Sequence, residues 1–205
     1  MLETVILAFF SFITLFGDGI VVCAQDAAPR PAAQKNLWVV YQPYAGNPLR
    51  DAITAGLLAF GGEVRVAELA VECRSPQLAR IHLRFSTRGL KFNVDPFEGP
   101  EGIGQKQKLL TIRVADGPEV SRTFNGFFVE SEMFVFAIAP PRAETAQLLS
   151  PGAAGKTVKI QVSPPDGKGE PLVFQFTLPV DHQAALAVAQ PCNESTSRDR
   201  ESDPQ

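Results

Sequence analysis

Between residues 37 and 192 the dominant period of the chain is two. Ile81, Leu83 and Phe85 alternate with Arg80, His82 and Arg84, and Leu110, Ile112 and Val114 alternate with Thr111 and Arg113. Val158, Ile160 and Val162 alternate with Lys159, Gln161 and Ser163, and Leu172, Phe174, Phe176 and Leu178 with Val173, Gln175 and Thr177. Each run offers one face to a core and one to water, the habit of antiparallel strands. Leu37–Tyr41, Ala52–Phe60 and Ser131–Ala139 are apolar on both faces, which fits central strands or strands lining an interface. Ala67–Phe85 reads as two alternating strands around a Ser-Pro turn. Cys73 continues the register of Leu69 and Val71, so its side chain is expected to face the core.

The punctuation between the runs agrees with this. Ala115–Val120 carries an Asp-Gly hairpin signal, and the Gly/Pro-rich Ser163–Pro171 joins the next two strands. The longest irregular stretch is Asn93–Lys108, a length often found in functional or mobile loops. Two segments break the period. Pro140–Gly152 opens with prolines, continues with good helix formers and stops at Pro-Gly, so it predicts a short helix. Pro179–Cys192 predicts a second helix, with Asp181 as N-cap and Pro191 as terminator. The expected fold is an all-β, mainly antiparallel β-sandwich with two short helices, one of them C-terminal.

The N-terminus changes the picture of where such a domain works. Thr4–Phe16 is an uninterrupted, weakly polar run, short for a membrane span of ~20 residues and suited to a signal-peptide core. Val22-Cys23-Ala24 places small residues where a signal peptidase reads, so cleavage before Gln25 is expected, with an uncleaved anchor as the alternative. Val22 before Cys23 disfavours lipidation. The organisation is then signal peptide 1–24, flexible leader 25–36, β-sandwich domain 37–192 and disordered tail 193–205, with no stable membrane span after cleavage. The leader is Ala/Pro-rich and polar, and the tail has no large apolar residue. Cleavage removes Glu3 and Asp18 and no Lys or Arg, which brings the formal charge from −3 to −1. So balanced a chain predicts no nucleic-acid partner. Two cysteines remain, Cys73 and Cys192, and an even count in an exported chain favours one disulfide.

The chemistry-bearing residues are few. No G-x-S-x-G elbow occurs, and the two histidines, His82 and His182, read as solvated surface residues without a zinc-ligand spacing. Gly99–Gly104 is glycine-rich, but no Lys-Ser/Thr follows, so it fails the phosphate-loop pattern. Glu130 and Glu132 lie two apart in an expected strand, roughly 7 Å from each other by strand rise. That separation overlaps the range of inverting glycosidases and supplies the weakest alternative, a glycan hydrolase. Arg80, His82 and Arg84 line one strand face with Arg88 just beyond. They are the best candidate binding stripe, suited to an anionic glycan or lipid, against the plainer role of keeping a sheet face soluble. Phe124–Phe136 carries five phenylalanines, and the neighbours Phe127 and Phe128 cannot both point inward from one regular strand. One of that pair is expected at a partner surface or under a helix.

The order of these elements resembles a known group. A strand opening at Trp38, an apolar strand, a strand ending in Cys73, the Arg113-x-x-x-Gly117-Pro118 hairpin, a Ser131-containing strand, a short helix, two strands and a helix ending at Cys192 are similar to the VasI/TagO-type exported periplasmic proteins associated with type VI secretion, and to their relatives of unknown role. The likeness spans roughly Leu37–Cys192. It implies a small β-sandwich in the periplasm or secreted from a bacterial envelope, a Cys73–Cys192 bridge, and an accessory role. This chain departs from the group in its Asn93–Lys108 insertion and in the proline-heavy segment around Pro140. The expected function is therefore a non-catalytic envelope accessory with a protein partner, no cofactor and no metal. The alternative is a binding module using the Arg80/His82/Arg84 face.

Overall fold

The period-two runs all become strands. The computed structural model describes residues 30–42, 49–75, 78–99, 102–103, 106–130, 132–164 and 167–194. The strands are β1 (Val39–Tyr41), β2 (Asp51–Phe60), β3 (Glu63–Ser75), β4 (Leu78–Ser86), β5 (Gly102–Ile103), β6 (Lys106–Gln107), β7 (Leu109–Val114), β8 (Val120–Thr123), β9 (Asn125–Glu130), β10 (Met133–Ile138), β11 (Thr157–Val162) and β12 (Leu172–Thr177). The helices are α1 (Arg142–Leu148) and α2 (Gln183–Glu194). Every strand pair is antiparallel. The expected signal segment, most of the expected tail and the proline of the Ser-Pro turn lie outside the described residues.

Ten strands share one sheet in the order β8-β7-β11-β12-β2-β3-β4-β10-β9, with β1 beside β2 and with β5 and β6 forming a separate ribbon. The two ends of this path, β8 and β9, follow one another in the chain with only Phe124 between them. The path therefore returns to where it began, and the sheet curls into a nearly closed barrel. With β8 and β9 counted as one strand, eight strands surround the core, a number whose interior side chains can fill. They do so with phenylalanine: Phe85, Phe124, Phe134, Phe136, Phe174 and Phe176 are fully buried. Phe85 stacks on Phe136 at 5.7 Å and meets Phe174 edge-on at 5.6 Å. Each such ring contributes ~1.5–3 kcal/mol by leaving water. At Gly56 an added Cβ would stand 2.2 Å from the Phe176 ring, so only glycine lets β2 pass under it.

The disulfide joins Cys73 to Cys192 across 119 positions and binds the last turn of α2 to β3. Cys73 lies in the Leu69 and Val71 register, on the core face. Asp181 Oδ1 accepts from Gln183 N at 2.8 Å and caps α2, as the sequence predicts. Pro191 does not end that helix, which runs on to Glu194. The disulfide at Cys192 holds the final turn in place. Residues 30–36, expected as part of a free leader, lie against β2: Gln34 O accepts from Ala55 N at 3.0 Å and from Thr54 Oγ1 at 3.2 Å. Among the described residues no helix is long and apolar enough to cross a membrane.

Candidate functional site

The sequence-predicted stripe is not a surface. Arg80 and Arg88 are exposed, but His82 is 2% exposed and Arg84 6%. Alternation along β4 places these side chains on the face opposite Ile81, Leu83 and Phe85. It does not reveal whether that second face is covered, and here it is. Ile53, Ala70, Val135 and Ala137 on the same face are buried too. The polar members are paired with one another. Arg84 Nη2 donates to Asp51 Oδ2 at 2.7 Å and lies 3.2 Å from His82 Nδ1. The same nitrogen of His82 is 3.3 Å from Glu72 Oε2, an ion pair when the imidazole is protonated. Phe127 sets its ring edge-on to His82 at 6.3 Å. Desolvated charges are tolerated when paired, and this cluster pairs them across three adjacent strands, β2, β3 and β4. Arg84 and His82 are thus wall components, and Arg80 and Arg88 alone do not form a continuous basic binding face.

His182 corrects a second expectation of a solvated histidine. It is 6% exposed and packs edge-on to Trp38 at 6.2 Å. The carboxylate pair does not form on a strand either. β9 stops at Glu130, Glu132 sits in the turn before β10, and its carboxylate lies 3.8 Å from Arg88. Phe127 and Phe128 part as alternation requires. Phe128 is 37% exposed and leans on Phe134 at 5.0 Å, whereas Phe127 faces His82. Among the described residues no group of three or more His, Cys, Asp or Glu is placed to hold a metal ion.

A concave feature lies elsewhere, beside β8. β10 pairs with β9 up to Ala137 opposite Asn125. Further along, Pro140 and Pro141 turn the chain out of the sheet and into α1. Proline has no N–H for a ladder, so β10 stops where it would next have met β8. α1 lies across the resulting gap. Arg122 Nε on β8 donates to Glu144 Oε2 on α1 at 2.8 Å and pins the helix there. The packing is incomplete. A cavity of about 120 Å³ remains, lined by Ile81, Ile112, Val114, Val120, Pro140 and Leu148, with Glu144 and Gln147 at its rim. Val114, Gly117 and Gln147 also border a wider trough of about 560 Å³, which runs past Asp116, Ser150 and Lys156. The floor is apolar, Glu144 at the rim is paired with Arg122, and the trough carries one acidic and one basic residue, Asp116 and Lys156.

Sequence reasoning missed this site. Its signal was the proline pair, legible as a helix start and equally as the reason a strand stops short. Lys108 was also missed. It closes the long loop, is 5% exposed, and donates from Nζ to Phe97 O at 3.2 Å and to Glu98 O. Burial pushes its pKa below the ordinary 10.5, while Glu98 acts in the opposite direction.

No protein-family model matches the chain, and neither does any curated protein or solved structure.

Proposed function

We propose that the protein is an exported, non-catalytic interaction protein of a bacterial envelope, which binds a protein partner in the gap between β8 and α1. The observation that carries this is the apolar cavity where, among the described residues, β8 has a strand on one side and a helix on the other. The Cys73–Cys192 bond supports an oxidising compartment, and the resemblance to VasI/TagO-type proteins supports an accessory role. Binding of an anionic glycan or lipid by the stripe is not favoured, because only Arg80 and Arg88 of that set reach solvent. Hydrolysis by the glutamates is not favoured either, since Glu132 sits in an exposed turn.

The test is site-specific photo-crosslinking in the native host. A crosslinker at Pro118, on the rim of the groove, should capture a protein, and one at Gly62, in the turn between β2 and β3, should not. The captured species should come from the envelope fraction with both cysteines resistant to alkylation. A reduced protein recovered from the cytosol, or equal capture from both positions, would overturn the proposal.

A further inference from the structure

Resting on that reading, the geometry points to how the partner is held: an extended segment adds as a strand to the open side of β8 and seats one aliphatic or aromatic side chain in the cavity under α1.

The backbone phase of the closing strand supports this. Phe124 N donates to Lys108 O at 3.3 Å, and Gly126 exchanges both backbone hydrogen bonds with Gly99. Even-numbered residues therefore turn their backbone groups toward β7 and Gly99. Odd-numbered residues turn theirs the other way, where Asn125 and Phe127 meet Ala137 and Val135 of β10. Ser121 belongs to the odd set, and on its side no strand stands among the described residues, because the proline pair has ended β10. Its carbonyl accepts from Arg122 Nη1 at 2.5 Å, a side chain in place of a strand. An edge with outward backbone groups is a ready template for another extended chain.

The cavity then selects the side chain. Val120 and Arg122 oppose Ile112 and Leu110, so they face inward. An added strand alternates in the same way and sends every second side chain toward the cavity. At about 120 Å³, the cavity compares with engineered cavities that take up a benzene-sized molecule. That is room for one leucine or phenylalanine side chain. Glu144, the charged residue lining the cavity, is held by Arg122. The fitting partner segment is extended, alternates apolar with small polar residues, and carries no charge at the inserted position. A lipid tail would fill the same cavity but leave the Ser121 backbone untouched.

The probe is an acetylated, amidated heptapeptide of alternating threonine and leucine, titrated into the oxidised full chain and followed by amide resonances and hydrogen exchange. Saturable binding should slow exchange at Ser121. Binding should weaken by about tenfold or more with aspartate at the central leucine, with alternate backbone N-methylation, and in Leu148→Trp, which fills the cavity. Val120→Asp, at a half-exposed wall position, is the second variant should Leu148→Trp not fold. Three results would overturn strand addition: no saturable binding, N-methylated peptide binding as well as the parent, or cavity filling by monomeric dodecylphosphocholine with no peptide competition. Crosslinks from Pro118 that persist in Leu148→Trp cells while the peptide fails would leave the partner reading standing and sink this one. Peptide binding without any envelope crosslink would do the reverse.

Discussion

The strand that closes the barrel runs from Val120 to Glu130, and its two halves are finished differently. The β9 half is paired on both sides, with β10 on one and the Gly99 bridge on the other. Phe97 from the adjoining loop is buried, and Lys108 ties that loop down by its backbone carbonyls. Among the described residues the β8 half has a strand, β7, on one side only, and on the other a helix that leaves a cavity. The two halves form one continuous stretch of chain, and what differs is Gly126 within β9 and the segments that lie beside each half. Glycines at 99 and 126 let a loop close against β9, whereas prolines at 140 and 141 forbid a strand beside β8. An edge sealed in this way contributes to stability, and an edge left open is available for recognition.

This contrast can be broken by substitution, and the largest effect belongs to the sealed half. At Gly126 an added Cβ would stand 2.1 Å from Phe97 O, a backbone atom that cannot step aside. Gly126→Ala should lower unfolding free energy by about 3 kcal/mol in a denaturant titration. A loss below ~0.5 kcal/mol would show that the bridge does not seal the edge.

Lys108→Met comes next. It leaves the Phe97 and Glu98 carbonyls without their donor and should cost about 2 kcal/mol near neutral pH. The pH profile distinguishes it from a packing defect. The folded-state pKa of Lys108 is lowered, so between that value and 10.5 the unfolded chain binds the extra proton. Stability owed to this group therefore rises as pH climbs through that window and is level below it. The methionine variant should lack the rise.

On the open half the expected effects are small. Arg122→Met removes a part-exposed pair with Glu144 and should cost about 0.5–1 kcal/mol while loosening α1, seen as faster amide exchange in Arg142–Leu148. Ser121→Val, on the exposed edge, should stay within about 0.5 kcal/mol of the parent. A loss of 2 kcal/mol at either position would mean that the open half is structural after all.

Much of the architecture was legible. Hydrophobic alternation located the strands, the Asp-Gly turn located the β7–β8 hairpin, and Asp181 capped the last helix because each depends on neighbours in sequence. The register of Cys73 pointed it inward for the same reason. The candidate site was less legible. Alternation assigns His82 and Arg84 to a face, but burial of that face depends on what else in the chain lies over it, and on carboxylates at Asp51 and Glu72 that arrive from other strands. The same holds for Pro191, whose helix-ending tendency was outweighed by a bond made to a residue 119 positions away.

By itself the sequence determined the elements, their inward and outward sides, and the two cysteines available for one bond, since local sterics and the period of two need no partner to act. Only the tertiary structure decided that the sheet returns upon itself through Phe124, that a basic stripe becomes a buried ion-paired wall, and that a gap stands beside β8. Those depend on which strands meet, and the meeting is settled by packing among residues far apart in the chain.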